Sequence, residues 1–239
     1  MIKISIVTVV LNAVNTIERC LSSVTNQTFE NIESVVIDGG STDGTLRGIK
    51  RYRDRIAYFV SEADRGLYHA MNKGIQASTG DYVYFLNSDD YFCDNDVLAD
   101  VVATISDDPS LDLVYGDVLM QTGEHTVRKA QVPVLNRESL CRRGLCHQAL
   151  FARRDILIRT GGFSEDYPIV ADGDWLARTL ASGAKSLHIP RDIATISLEG
   201  LSSTSNWREE KRRSLRANYT PWELFRWRKL PGILGRKKD

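Results

Sequence analysis

Apolar residues in the first ninety positions come in short unbroken runs. Lys3 to Leu11 is rich in Ile and Val and carries no charge after Lys3; Ile32 to Ile37, Ile56 to Ser61 and Tyr82 to Leu86 are the next such runs. Runs of this length predict buried strands. Between the first two the spacing changes: Ile17, Leu21 and Val24 predict a helix through Asn26, with Asn15 as its N-cap. Another helix is predicted after the turn Asp38 to Gly44, and a third over Gly66 to Thr79. Strands alternating with helices in this way predict βαβ units and a mostly parallel sheet. Such sheets bind ligands beyond the carboxyl ends of their strands. Asp38, Asp64 and the Asp89-Asp90 pair all fall at or just past such ends.

The second half is less regular. Leu111 to Leu119, Thr126 to Val132, Cys146 to Ala152 and Ala184 to Ile189 are strand candidates, and Gly161-Gly162-Phe163 is a turn. Asp172 to Ser182 is expected to be a helix with Trp175, Leu176 and Leu180 apolar. The parse is one α/β domain over residues 1–205, followed by a helical tail over 206–239.

Composition adds an asymmetry. The 239 residues are 42% hydrophobic and 26% charged, ordinary for a protein with a sizeable core. The formal net charge is +0, yet residues 206–239 hold eleven Lys/Arg against four Asp/Glu, a net +7, which leaves −7 on the rest. A basic appendage therefore sits on an acidic body. The four cysteines form no C-x-x-C pair, and Cys141, Cys146 and His147 lack the second ligand pair of a structural zinc site. Free thiols in a reducing cytoplasm are expected. Met1-Ile2-Lys3-Ile4 leads straight into a strand and shows no signal peptide. No apolar run approaches the ~20 residues of a membrane span.

Asn87-Ser88-Asp89-Asp90 follows the Tyr82 to Leu86 strand, so two carboxylates and an amide stand at the mouth of a core strand. A divalent cation such as Mg²⁺ or Mn²⁺, shared with substrate phosphates, would compensate them; an Asx turn capping the next helix is the structural alternative. Asp38 precedes Gly39-Gly40. Its carboxylate can accept hydrogen bonds from a nucleobase or ribose, or serve the turn alone. Asp64 can hold a base or ribose or cap a helix, while Arg65 and Lys73 can screen phosphates or stand in solvent. Asp172 and Asp174 open the late helix, where the macrodipole favours acids; either could be a general base. His147 is a third metal-site group, an acceptor contact or a core histidine. A P-loop is excluded, since no G-x-x-x-x-G-K-[ST] occurs, and no G-x-G-x-x-G supports dinucleotide binding.

Val9 to Asn12, Val36 to Thr45, Asp64 to Ile75 and Tyr84 to Asp90, followed by Gly161 to Glu165 and Ala171 to Arg178, resemble an inverting family 2 glycosyltransferase. The motifs occur in the expected order over roughly residues 1–205. Within that family the chain is most similar to small bacterial enzymes of exopolysaccharide assembly, including the colanic-acid type. The resemblance implies a GT-A fold: a Rossmann-like, mostly parallel sheet flanked by helices. Residues 1–90 would form the nucleotide-sugar half and 91–205 the acceptor half. It further implies a nucleotide-diphosphate sugar donor, a saccharide or lipid-linked acceptor and a divalent metal, Mn²⁺ or Mg²⁺. Asp38 would contact the nucleobase with Thr8 lining its pocket; Asn12, Asp64, Lys73, Asn87 and Ser88 would complete the nucleotide site. Asp89 matches the last Asp of the family's D-x-D and would hold the metal, with Asp90 and His147 beside it. Asp172 would be the base. Asn87 stands where the family has the first Asp of D-x-D, and Ala171 where it has Glu before the base, which makes Asp174 a rival.

In the tail, Trp207, Trp222, Phe225 and Trp227 interleave with Arg208, Arg212, Arg213, Arg216, Arg226, Arg228 and Lys229. That pattern suits an amphipathic surface on anionic lipid, peripheral to the inner face of a cytoplasmic membrane; a helix packing aromatics on the domain is the alternative. Nucleic acid is not expected as a partner, because the acidic body would repel it. Two further function classes compete with sugar transfer: a nucleotidyltransferase on a related sheet, and a non-catalytic nucleotide-sugar-binding protein.

Overall fold

The computed structural model describes residues 1–123, 125–197 and 207–228. Its first half is a βαβ series: β1 (Ile4–Val10), α1 (Ile17–Thr25), β2 (Ile32–Asp38), α2 (Thr45–Lys50), β3 (Tyr58–Ser61), α3 (Leu67–Ala77) and β4 (Tyr82–Phe85). These four strands pair in parallel in the order β3-β2-β1-β4. β1 is buried along its whole length. Ile4 and Ile6 face one core, and Val7 and Val9 face the other. An all-apolar strand is what a sheet covered on both faces requires.

The second half comprises β5 (Tyr91–Phe92), α4 (Val97–Asp107), β6 (Leu113–Thr122), β7 (His125–Lys129), α5 (Arg137–Arg143), β8 (Leu150–Arg153), α6 (Arg154–Arg159), α7 (Ala171–Ala181) and β9 (Ser186–Ser197). β8 joins β4 and β6 antiparallel, β6 pairs β9 in parallel, and β5 and β7 pair antiparallel with β9 and β6. The sheet is thus parallel where the nucleotide half is expected and mixed beyond it. Several elements differ from expectation. Thr16 rather than Asn15 is the N-cap of α1, with no side-chain capping bond. The expected Cys146 to Ala152 strand begins as a 3-10 turn at His147–Ala149. β9 runs past Ile189 to Ser197, carried by Ile193, Ala194 and Ile196 in the second core. The N-terminus of α3 falls at Leu67, with Gly66 before it in the left-handed region at φ 138°.

Two C-terminal helices follow, α8 (Trp207–Asn218) and α9 (Pro221–Arg228). The expected boundary at Ser205, as well as Lys229 and the cations after it, lies outside the described residues. Tyr219 and Trp227 are buried in the same core as Trp175, their rings 5.6 Å apart. Arg137 of α5 pairs with Glu223 at 3.0 Å and stacks 4.6 Å over Tyr219. Trp207, Trp222 and Phe225 stay exposed. The aromatic set of the tail is thereby divided between core and surface.

Candidate active site

A cleft of about 920 Å³ opens beyond the carboxyl ends of β1 and β4. Its walls come from the Leu11–Thr16 loop, Gly39, the start of α3, the Asn87–Asp90 turn, Cys146 to Gln148, and Pro168 to Asp172. Pockets for small molecules span roughly 300–1,000 Å³, so this one accepts a large ligand. Of the residues singled out from the sequence, Asn12, Asp64, Asn87, Ser88, Asp89, Asp90, His147 and Asp172 line it. Thr8, Asp38, Lys73 and Asp174 do not, and each has a structural reason.

Thr8 is fully buried in the middle of β1, behind the cleft wall. Asp38 is also fully buried. Its carboxylate accepts the Gly40 and Ser41 N–H groups at 3.1 and 3.0 Å and the Ser41 and Ser61 hydroxyls at 2.5 and 2.6 Å. A carboxylate held by these four donors organises the turn, and Asp38 is not among the residues that line the cleft. Gly39, the next residue, forms the wall in its place. Asn12 sits at φ 50°, a conformation Asn tolerates, and its Oδ1 accepts the Thr42 N–H at 2.9 Å.

Asp64 is almost enclosed. Its Oδ1 pairs with Lys73 Nζ at 2.6 Å and His69 Nδ1 at 3.0 Å. Lys73 also pairs with Glu62 at 2.7 Å, so it steadies Asp64 from behind and does not reach into the cleft. Asp64 Oδ2 is buried without a hydrogen-bond partner, and it would lie 3.4 Å from a Cβ placed on Gly39. A buried acceptor left open at a cleft wall is costly unless a ligand donor meets it.

The Asn87–Asp90 segment is a turn closed by Asp90 N–H to Asn87 O at 3.0 Å. Asn87 Nδ2 lies 3.4 Å from His147 Nε2, and its Oδ1 is buried without a partner. Asp89 has only its carbonyl engaged, by Arg19 at 3.2 Å; its carboxylate is held by no other described residue. Asp90 turns inward, accepting Gln148 Nε2 at 2.9 Å and the Ser197 N–H at 3.0 Å. Burial, then the neighbouring Asp89 charge, pushes the Asp90 carboxyl up to about 7. Among the described residues no three His, Cys, Asp or Glu side chains converge as a metal cage. The expected grouping of Asp90 and His147 with Asp89 is therefore not preformed, because Asp90 serves Gln148 and His147 faces Asn87 and Asp172. One open carboxylate and one orphaned amide oxygen do fit a hard cation that takes its remaining ligands from waters and substrate phosphates.

Asp172 begins the second position of α7. Its Oδ1 accepts Tyr68 OH at 3.2 Å and the Gly173 N–H at 2.7 Å, and its Oδ2 lies 3.4 Å from His147 Nδ1. The single Tyr68 hydroxyl proton is shared with Ile169 O, the nearer acceptor at 2.7 Å. Burial, and next the Asp172 charge, pushes the Tyr68 hydroxyl well up, so it stays a donor. Asp174 is 4% exposed and points the other way. It pairs with Arg178 at 2.9 Å and accepts Asn218 Nδ2 at 2.7 Å from α8. Placement separates the two carboxylates: Asp172 faces the cleft and Asp174 the C-terminal helices.

Tyr68, His69, Gln148 and Lys129 escaped sequence reasoning. Tyr68 and His69 lie in the first turn of α3, four and five residues after Asp64, and their nearness to it in the chain is the available signal. Among the described residues lining the cleft, Lys129 on β7 is the one Lys or Arg, against the carboxylates of Asp43, Asp64, Asp89, Asp90 and Asp172.

Comparisons with known proteins bear on the family and the fold. Residues 5–153 match the model of Glycosyl transferase family 2. A PGL/p-HBAD biosynthesis glycosyltransferase of Mycobacterium bovis (strain BCG / Pasteur 1173P2) is 36% identical over 183 residues, covering 75% of this chain and 70% of that protein. The crystal structure of S. aureus TarS 1-349 in complex with UDP-GlcNAc superposes with a TM-score of 0.77 at 20% identity, covering 90% of this chain and 65% of that one. Mannosyltransferase PcManGT from Pyrobaculum calidifontis, in complex with GDP-Man and Mn2+, gives 0.69 at 21% identity over 93% of this chain and 67% of that one. At such identity these structures establish a shared GT-A fold.

Proposed function

The chain belongs to Glycosyl transferase family 2, and from that premise we propose that it is an inverting enzyme. It moves a sugar from a nucleotide-diphosphate sugar to a saccharide or lipid-linked acceptor in bacterial polysaccharide assembly. The observation that carries the reading is the cleft itself: Asp89, with an open carboxylate, and Asp172, held by Tyr68, line one cavity large enough for a nucleotide sugar. Support for the donor class comes from the fold neighbours, whose titles name UDP-GlcNAc and GDP-Man. Asp64 Oδ2 and the wall at Gly39 would meet the nucleoside, with Asn12 and Ser88 on the same rim. Asp89 and Asn87 Oδ1 would hold Mn²⁺ or Mg²⁺ against the diphosphate. Bound there, the cation neutralises charge on the departing group.

The acceptor hydroxyl attacks the anomeric carbon opposite the diphosphate. Asp172 takes its proton as the new C–O bond forms, and the bond to the diphosphate breaks with its electron pair. A single base suffices for inversion; the paired flanking carboxylates of a retaining hydrolase are not needed.

No helix among the described residues is long and apolar enough to cross a membrane. Attachment from the cytoplasmic side would instead use α8 and α9. Arg208, Arg212 and Arg216, four residues apart, form an exposed stripe on α8, and Trp207, Trp222 and Phe225 are exposed alongside. A lipid-linked acceptor would make that proximity useful.

A thermal-shift panel of UDP, GDP and dTDP, each with and without Mn²⁺ or Mg²⁺, tests the nucleotide site. A ligand at a hundred times its Kd adds about 2.7 kcal/mol. One nucleoside diphosphate should raise Tm in a metal-dependent way, and Asp64→Ala should remove most of the shift. No shift with any of them contradicts the reading.

A further inference from the structure

α8 has two working faces. The outer one carries the Arg208, Arg212 and Arg216 stripe. Glu210, Arg213, Ser214 and Asn218 lie on the inner one, at the three- and four-residue spacing that aligns side chains on a helix. That face meets Tyr167 and Ile169, in the segment before α7, and Asp174 on α7 itself, and of these Ile169 lines the cleft. Glu210 Oε2 accepts the Ile169 N–H at 2.9 Å. Arg213 stacks 5.2 Å over the Tyr167 ring. Ser214 Oγ and Asn218 Nδ2 reach Asp174 Oδ1 at 3.4 and 2.7 Å.

The Glu210 contact leads directly to the candidate base. Ile169 precedes α7, and its carbonyl accepts Tyr68 OH at 2.7 Å. The same hydroxyl, its single proton shared between the two acceptors, lies 3.2 Å from Asp172 Oδ1. One residue, Ile169, therefore links the Glu210 bond to the Tyr68 hydroxyl, and that hydroxyl in turn contacts the carboxylate. The segment from Ser164 to Val170 has no strand or helix of its own. Its N–H and C=O groups depend on such outside partners. Arg65, paired to Glu165 at 2.9 Å, is a further tie, exposed and therefore weak.

We infer that α8 is the clamp of the acceptor-side wall and that Glu210 is a positioning residue for Asp172, acting through Ile169 and Tyr68. This rests on the reading of Asp172 as the base. It gives the C-terminal helices a part in turnover. It also accounts for Asp174, whose buried carboxylate anchors the clamp to α7.

The test compares Glu210→Ala with Glu210→Gln in the full chain, since Gln keeps an oxygen to accept the Ile169 N–H. Amide hydrogen exchange at Ile169 should quicken in the Ala variant and stay near wild type in the Gln variant. This readout is independent of which residue is the base. With a nucleotide sugar that the wild type turns over, the Ala variant should lose about 10- to 100-fold in kcat, the scale of a misplaced catalytic group, with donor KM unchanged. Gln should restore most of it. Adding Glu210→Ala to Asp172→Asn should cost little more than Asp172→Asn alone, because the two act through one group. Faster exchange with undiminished kcat would overturn the positioning role. So would a loss of kcat accompanied by an equal loss of nucleotide binding, which marks general damage. Full activity in Asp172→Asn would instead overturn the base assignment, and the exchange data would then judge the clamp by itself.

Discussion

Glu33 shows how this protein treats a carboxylate that has nothing to do with a ligand. It is 6% exposed and accepts Lys3 Nζ at 2.8 Å, Ser5 Oγ at 2.5 Å, and the Thr79 N–H and Oγ1 at 2.6 Å each. Burial alone would raise its pKa, but the hydrogen bonds from Lys3, Ser5 and Thr79 outweigh it and hold the carboxyl at about 2. Because that lies below the unfolded value of about 4.5, the stabilisation is complete above pH ~4.5 and fades as pH falls toward 2. Glu33→Gln should cost about 1–3 kcal/mol at neutral pH and flatten the acid limb of a Tm-against-pH series; an unchanged acid limb would contradict this account. Asp38 belongs to the same class, fully buried and held by four donors from Gly40, Ser41 and Ser61. Asp64, Asn87 and Asp89 differ in kind, because each keeps an oxygen at the cleft that no described residue engages. Sequence cannot separate these classes. Asp38 and Asp64 both end strand-and-turn segments, and only the count of donors around each carboxylate tells them apart.

At the scale of elements, α3 carries much of the site's precision. Tyr68 and Met71 face the core while Gly66 to Tyr68 and Ala70 shape the cleft. Gly74 lets the helix lie against β1: a Cβ there would stand 2.2 Å from Val7 Cγ1. Gly74→Ala should therefore destabilise the fold by about 1–3 kcal/mol, although Ala is the better helix former; a denaturant midpoint at or above the wild type would show that the helix can back away. The first-half strands and helices were legible in the sequence because each apolar run is continuous and each helix has a clear spacing. α4 was missed, although Val97, Leu98, Val101 and Ile105 fall on one helical face, because Val and Ile at these positions read equally as strand. The pattern predicts β9 only to Ile189, because Pro190, Arg191 and Asp192 interrupt the apolar run before Ile193 resumes it. α8 was legible as a helix, but its inner contacts were not. Glu210 and Asn218 look solvent-bound until α7 is packed beside them.

Over the whole molecule, charge is divided between an acidic body and a basic C-terminal segment, and the described part of that segment is docked, not free. The exposed Arg stripe of α8 and the Trp222 and Phe225 pair of α9 face away from the core. Each cation near an anionic surface contributes roughly 1 kcal/mol, screened by salt. The full chain should float with anionic liposomes at low salt and release as salt rises. Charge reversal at Arg208, Arg212 and Arg216 together should abolish flotation without lowering Tm; equal flotation of both proteins would leave the stripe without a lipid role. The central claim concerns the cleft, and product analysis reaches it most directly. Wild type, Asp89→Ala and Asp172→Asn are incubated with a panel of nucleotide sugars, Mn²⁺ and a lipid-linked saccharide acceptor, and the released nucleotide is identified. The account predicts a nucleoside diphosphate from the wild type and a metal-dependent rate that Asp89→Ala abolishes. In Asp172→Asn it predicts turnover about 10²–10⁴-fold slower with nucleotide binding kept. Pyrophosphate as the product, or undiminished turnover by both variants, would contradict it.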